Sequence, residues 1–387
     1  MQNFIFHTPT KIIFGKDQIG KIGKELGRYG KKALLVYGMS SIVKNGIYEK
    51  VTASLNAAGI SFVDFPGVKS NPVLSHVRSG IELARREQVD VVLAVGGGSV
   101  IDSAKAIAAG ALADHDVWDF FTFSKPIKAA LPILTVVTVS ASASEMNNGA
   151  VLTKEDSGYK YGTFSPYLMP KTSILDPTAL FSLDARYSAY SSVDIITHML
   201  EGYFNNSEPS CLLQDRLVEG LMKTVMESTE KILKEPDNYT ARADIMWSAV
   251  LGFNGLTTAG LGLTPFPAHM IEHSLSALYN IPHGAGLSIV LPAWMNYSLE
   301  AKKERIARMA REVFLVRETD TLEAAKKGVS GLTSWYKSIG SPVSLSEAKI
   351  PEGDIEKIAD NAVTLARLWM MKSYTREIII EILKKAL

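Results

Sequence analysis

The residues best suited to chemistry in this chain are an aspartate and four histidines in its second half. Asp194 and His198 stand four apart in the segment VDIITHMLEGY, so on a helix both project from one face. His269 and His273 repeat that spacing in AHMIEHSL, and His283 follows in the turn Ile281-Pro282-His283-Gly284. A carboxylate with neutral imidazoles on adjoining rigid elements is a nitrogen–oxygen donor set for a divalent transition ion, and Fe²⁺, Zn²⁺, Mn²⁺ and Ni²⁺ all suit it. The lack of cysteine ligands argues against a structural zinc site. Taken singly, each histidine reads more simply as a packed, hydrogen-bonded side chain. As a set, Asp194, His198, His269 and His283 point to a metal, although spacing alone does not separate His269 from His273. His7, His76 and His115 join no such pattern. Glu201, three after His198, reads as an exposed helix carboxylate before it reads as a partner of a ligand.

A second candidate is the run Gly96-Gly97-Gly98-Ser99, between the apolar stretch Val91–Val95 and a helix expected from Val100 towards Ala109. Glycines allow a sharp turn and close approach of a ligand, and the free N–H groups at a helix start suit a pyrophosphate. Neither the usual dinucleotide fingerprint nor a Walker loop is present. An earlier turn, Gly38-Met39-Ser40-Ser41, also follows an apolar run. It carries hydroxyls and no acid to accept a ribose 2′-hydroxyl, so it would tolerate a 2′-phosphate and favours NADP over NAD.

These groups must be positioned by something, and the pattern around them indicates what. Strands are expected at 32–38, 61–65, 89–96, 133–139 and 173–176, nearly continuous in apolar residues, as in a parallel sheet covered on both faces. A helix is expected over Val73–Glu87 after Asn71-Pro72, completing a strand–helix–strand crossover. After Asp176-Pro177 the texture becomes helical, as in Ile306, Met309, Ala310 and Val313, or Ile355, Ile358, Ala359 and Ala362. Two domains are expected: 1–178 for dinucleotide binding, and an all-helical 179–387 for metal and substrate. A length of 387 residues is ample for two cores.

The bulk numbers exclude several classes. With 41 basic and 40 acidic residues there is no net field for nucleic acid or an acidic membrane surface. No run of about 18 apolar residues is present for a membrane span, and the first residues do not read as a signal peptide. The one cysteine, Cys211, reads as inert packing in a reducing compartment, so a cytoplasmic protein is expected.

The segments KIIFG (11–15), Gly67-Val68-Lys69-Ser70-Asn71-Pro72, Gly96 to Ser99 with Asp102 and Lys105, Leu175-Asp176-Pro177, Asp194 to His198, and His269 to Gly284 together resemble the iron-containing (group III) alcohol dehydrogenases. The resemblance is to the branch of butanol dehydrogenases and NADPH-dependent aldehyde reductases. It implies a Rossmann-like nucleotide domain and a helical metal domain of the dehydroquinate synthase-like architecture, with the active site in the cleft between. It implies one divalent metal, Fe²⁺ ahead of Zn²⁺, on Asp194, His198, His269 and His283, with His273 a catalytic group near the nicotinamide. The implied cofactor contacts are Gly38, Ser40, Asn71, Gly97, Gly98, Ser99, Asp102, Thr138, Ser142, Asn147 and Lys160, with NADP ahead of NAD. The implied reaction is hydride transfer between the cofactor and a short-chain alcohol or aldehyde such as butanol or butanal, in a homodimer.

One departure stands out. The family's T-T-x-G-T-G-S-E stretch is Thr138-Val139-Ser140-Ala141-Ser142-Ala143-Ser144-Glu145 here. Both glycines are alanine, so any positive φ there carries strain. Trp247, Phe253 and Phe266 are candidates for an apolar pocket or for ordinary core. Two alternatives remain open: a metal- and NAD-using lyase such as dehydroquinate synthase, which would need basic residues that the metal segments lack, and a non-enzymatic nucleotide- or metal-binding protein.

Overall fold

A computed structural model describes residues 1–207 and 211–387, which form two compact units. One unit comprises His7–Leu183 with Pro236–Val250, and the other Met1–Phe6, Asp184–Glu235 and Leu251–Leu387. A single boundary near 178 leaves out two segments that belong with the opposite half, the N-terminal arm and Pro236–Val250. The second of these buries Met246 and Val250 in the first unit's core.

The first unit is a six-stranded parallel sheet in the order β1-β8-β5-β4-β2-β3, with a separate hairpin β6-β7. The strands are β1 (Lys11–Phe14), β2 (Lys32–Tyr37), β3 (Ser61–Phe65), β4 (Val91–Gly96), β5 (Ile133–Val137), β6 (Gly149–Lys154), β7 (Tyr159–Phe164) and β8 (Thr172–Leu175). Helices α1 (Ile22–Leu26), α2 (Ser41–Lys44), α3 (Ile47–Ala57), α4 (Leu74–Arg86), α5 (Gly98–Ala111) and α6 (Trp118–Phe121) connect them. Side chains alternate across each strand. Leu34, Val36, Val92 and Ala94 therefore enter one core with Val77 and Ile81 of α4 and Ile101 and Ile107 of α5. Leu35, Tyr37, Leu93 and Val95 enter the other with Ile22, Leu26, Val51 and Leu55 of α1 and α3. Both faces are covered, which is why these runs are apolar throughout.

All five expected strands form, β3 at its expected bounds and the other four with shifted ends. Asp90 does not extend β4; its carboxylate accepts the N–H groups of Lys31 and Lys32 at 2.8 and 2.9 Å. The sequence reading misses β1 and the β6–β7 hairpin. β1 has only four residues, two exposed and two half-buried, and the hairpin mixes Thr, Lys, Tyr and Gly, so neither carries a strong apolar signal. The chain runs outward from β2 to β3, then returns to β4 on the other side of β2. The crevice at the carboxyl ends of β2 and β4 is thus a topological switch point, where open α/β sheets bind ligands. Gly38 and the Gly96–Ser99 turn lie at those ends.

The second unit is helical: α7 (Ala185–Asn205), α8 (Leu212–Lys234), the end of α9 (Tyr239–Phe253), α10 (Pro267–Tyr279), α11 (His283–Tyr297), α12 (Leu299–Val313), α13 (Thr321–Ser338), α14 (Ile355–Leu368) and α15 (Arg376–Lys384). The apolar stripes read at 306–313 and 355–362 are buried. Helices α7 and α11 are buried on nearly every side, which leaves polar groups on them with no route to water.

Close packing of α4 on α5 gives the first prediction. A Cβ at Gly80 would meet Ile107 Cδ1 at 2.5 Å and Phe65 Cε1 at 2.9 Å. Gly80→Ala should therefore lower stability by about 1–3 kcal/mol in urea unfolding. An unchanged midpoint would show that this seam has room.

Candidate active site

The aspartate and histidines converge because local signals place each helix end. Pro267 opens α10 and puts His269 in its first turn. Asn280, at φ +51°, closes α10 in the left-handed conformation, and α11 begins at His283 after Pro282. Gly284 then lets the start of α11 press on α7, since a Cβ there would lie 2.1 Å from the Tyr190 carbonyl oxygen. The result brings three imidazoles to one oxygen. Asp194 Oδ1 is 3.3 Å from His198 Nδ1, 3.5 Å from His269 Nε2 and 3.6 Å from His283 Nε2.

Those four atoms test the fit of a metal. Asp194 Oδ1, His198 Nδ1 and His269 Nε2 are buried without a hydrogen-bond partner. Orphaned polar atoms at such depth are costly unless something else satisfies them. Donors held about 2.0–2.2 Å from one ion lie roughly 3.4 Å apart, the spacing seen here. The donor set fits a divalent transition ion.

Electrostatics agree. Burial alone would raise the Asp194 carboxyl, but the imidazoles of His198, His283 and His269 hold it well below the ordinary carboxylate range. Burial pushes the His198 imidazole down to about 3, against the pull of Asp194, so it is neutral and its lone pair is free. Burial also opposes charge on His269, yet the Glu201 and Asp194 carboxylates hold it up at about 9, so an ion bound there would have to displace the Nε2 proton.

Two glutamates orient the ligands. Glu201 is fully buried and accepts from His269 Nδ1, from the Ala268 N–H, and from the His269 N–H at 3.4 Å. The expectation of an exposed helix carboxylate is thus overturned. Its partner is His269 on α10 rather than His198 on its own helix. Glu272, also fully buried, accepts from His283 Nδ1. The sequence reading passed over Glu272, although its place between His269 and His273 on a buried helix was a usable signal. Each carboxylate holds the Nδ1–H of its imidazole and so turns Nε2 towards Asp194.

Aromatic rings close around the cluster. Phe253 stacks on His198 at 4.1 Å, and Phe266 lies 6.4 Å from the same ring. Trp247 does not join them; it packs edge-on against Phe14, 5.9 Å away, in the other unit. His273 is buried, with its ring 5.7 Å from His283 and 5.5 Å from Trp369. Glu272, His273 and His283 also lie close enough together to share an ion. The bond from Glu272 to His283 Nδ1 marks that glutamate as an orienting group instead.

In the first unit the implied cofactor residues gather about the start of α5. A Cβ on Gly98 would sit 2.3 Å from Ser142 Oγ, and one on Gly97 would sit 2.8 Å from Val139 Cβ, so both positions need glycine. Thr138 N–H donates to Gly96 O at 3.0 Å, and Ser99 Oγ donates to Ser70 O. Lys160 Nζ donates to Asn71 Oδ1 at 3.2 Å, and Asn147 Nδ2 to Ser142 O at 3.0 Å. Gly67 N–H donates to Gly38 O at 3.0 Å, tying the first turn, with Ser40, to the segment carrying Asn71. Asp102 is different. Both its oxygens are engaged within the protein, by Ser144 Oγ at 2.6 Å and the Val151 N–H at 2.9 Å. Of the two alanines replacing family glycines, only Ala143 adopts positive φ, at 52°. Glu145 lies buried beside this segment with Oε1 unpartnered, and burial pushes its carboxyl up to about 7 against the pull of Lys105.

A buried donor set suited to a divalent ion, and a parallel sheet with a glycine turn at its switch point, are together the marks of a metal- and nucleotide-using enzyme. Comparison with known proteins narrows the class. The model of the iron-containing alcohol dehydrogenases matches residues 9–177, and that of the C-terminal part of the same family matches 188–387. The chain belongs to the iron-containing alcohol dehydrogenase family. It is 40% identical to the Bacillus subtilis protein named Probable NADH-dependent butanol dehydrogenase 1, over all of both chains. It is 34% identical to the Escherichia coli NADPH-dependent aldehyde reductase YqhD, over 90% of this chain and 89% of that one. The crystal structure of the Thermotoga maritima NADH-dependent butanol dehydrogenase A superposes with a TM-score of 0.96 at 45% identity, covering 100% of this chain and 99% of that one. The lyase alternative is not favoured.

Glu145 supplies a pH prediction. Its folded pKa lies above its unfolded value, so its contribution to stability is full below about 4.5 and is lost as pH rises through about 7. Glu145→Gln should therefore gain on the parent between pH 5 and 8, by up to about 3 kcal/mol. Thermal unfolding of both proteins across that range checks it; parallel curves would mean that Glu145 stays ionised.

Proposed function

We propose that this protein is a metal-dependent dehydrogenase that interconverts a short-chain alcohol, such as butanol, and its aldehyde, with NADP(H) ahead of NAD(H). The observation carrying this reading is the convergence of His198, His269 and His283 on one buried oxygen of Asp194. These four residues would hold the ion, Fe²⁺ ahead of Zn²⁺. A bound divalent ion supplies Lewis acidity, lowering the pKa of an alcohol or polarising an aldehyde carbonyl. Bound nicotinamide supplies the hydride acceptor or donor.

The chain's own residues do the rest. Glu201 and Glu272 hold the Nδ1–H groups of His269 and His283, so that Nε2 of each faces Asp194. Phe253 and Phe266 shield His198 from water. His273 stands beside His283 and can take up or release the proton that alcohol oxidation frees. On the nucleotide side, the open turn from Gly96 to Ser99 offers N–H groups to a pyrophosphate, with Lys160 beside Asn71 as a nearby cation.

The preference for NADP rests on the first turn. Gly38-Met39-Ser40-Ser41 has hydroxyls and no acid, and Lys69 follows directly on Val68, whose N–H bonds Tyr37 O at 3.2 Å. The relatives divide, with NADH in the Bacillus and Thermotoga names and NADPH in the E. coli name. A cytoplasmic homodimer is the proposed working form. The single cysteine supports the compartment, and the family resemblance supports the dimer.

Protein purified without oxygen should carry one divalent ion per chain by elemental analysis and reduce butanal. His283→Ala should lose both metal and activity. Glu272→Gln should weaken metal affinity by about 10–100-fold. His273→Ala should keep the metal and lose turnover by about 10²–10⁴-fold. Metal loss in that last variant would reassign His273 as a ligand.

The cofactor is tested separately. kcat/KM for NADPH should exceed that for NADH by roughly tenfold or more, the worth of one hydrogen bond to a charged group. The reverse ratio would assign NAD.

A further inference from the structure

Asp102 and Lys105 stand one helical turn apart on α5, and both reach into the same stretch of chain, 144–151. Asp102 accepts from Ser144 Oγ at 2.6 Å and from the Val151 N–H at 2.9 Å. Lys105, with no exposed surface, donates to Asn147 O at 2.9 Å, Asn147 Oδ1 at 3.1 Å and Gly149 O at 2.7 Å. An ammonium buried at such depth persists only where acceptors and neighbouring negative charge replace its water. Asn147 relays the hold, since its Oδ1 also accepts from the Gly149 N–H at 3.0 Å and its Nδ2 donates to Ser142 O at 3.0 Å. Between these ties Ala143 is kept at φ +52°, a conformation that alanine rarely adopts and that must be imposed from outside.

We propose that Asp102 and Lys105 are positioning residues for the cofactor, clamping the segment that carries Ser142 and Asn147 at a fixed distance from the glycine turn of α5. This rests on the nucleotide reading given above. Neither residue contacts the cofactor: the Asp102 oxygens and the Lys105 ammonium are spent on the chain. Ser142 Oγ already crowds the place where Gly98 would bear a Cβ. A loosened segment would fold Ser142 over the glycine turn or withdraw it, and either change weakens binding without altering the metal cluster.

The test is fluorescence titration of the metal-loaded protein with NADPH and with NADH, beside steady-state kinetics on butanal. Lys105→Met should raise the cofactor Kd and KM about tenfold, while kcat at saturating cofactor and metal content stay within about twofold of the parent. Lys105→Arg should recover part of the loss. Ser144→Ala removes only one tie to Asp102, leaves a small buried side chain, and should raise Kd by a smaller factor in a protein that still folds cooperatively. That variant decides the matter if Lys105→Met fails to fold. Parent-like Kd in a folded Lys105→Met or Ser144→Ala protein overturns the proposal. So does a fall in kcat or metal content with Kd unchanged. If the parent itself binds neither nucleotide, the nucleotide reading fails first, and the clamp with it.

Discussion

The structure turns on one arrangement, a carboxylate oxygen buried with three imidazole nitrogens around it and no hydrogen bond of its own. In a region of low dielectric, a carboxylate denied both water and donors costs several kcal/mol. Neighbouring dipoles return only part of that. His269 and His283 direct their Nδ1–H groups elsewhere, towards Glu201 and Glu272, which leaves Nε2 of each facing Asp194. That orientation is what suits the cluster to an ion. Much of the helical unit serves this arrangement: a proline to start α10, an asparagine in the left-handed region to end it, and a glycine to let α11 meet α7.

That dependence explains what was legible in the sequence. Spacing of four along a helix is a local property, so Asp194 with His198, and His269 with His273, could be read directly. The parallel sheet was legible for a similar reason, since strands covered on both faces cannot hide their apolar character. Which of His269 and His273 faces Asp194 was not local, because it depends on the angle at which α10 meets α7. Glu201 shows the same limit more sharply: its separation of three from His198 suggested a pairing, yet it bonds a histidine 68 residues away. Burial reversed its reading, since a carboxylate at that depth must have a partner. Glu272 was missed because a glutamate on a helix is usually solvated, and nothing in the heptapeptide HMIEHSL declares that all sides of α10 are covered.

The nucleotide half shows the complementary case, where a motif was visible but its division of labour was not. Gly97, Gly98, Asp102 and Lys105 lie within nine residues, and proximity invites the view that all face one ligand. The coordinates separate them by direction. The glycines lie against Val139 and Ser142 at the open end of β4, whereas the Asp102 and Lys105 side chains turn back into the protein. A charged side chain on a phosphate-binding helix is therefore weak ground for assigning a contact until its own hydrogen bonds have been counted.

The two alanines at 141 and 143 sharpen that point. Of these two positions, only one adopts the conformation that glycine favours. Ala141 lies outside the positive-φ region, so its methyl group brings no backbone strain. At Ala143 the methyl is buried and φ is positive, so the strain is real, and local preference alone would relax it. It persists because residues after it are tied to α5, Ser144 through Asp102 and Asn147 through Lys105, while Asn147 Nδ2 holds the carbonyl of Ser142 before it. A turn that glycine would adopt by its own permissiveness is here held by charge buried beneath it. The strength of that hold, rather than the identity of residue 143, sets the shape of the wall beside the glycine turn.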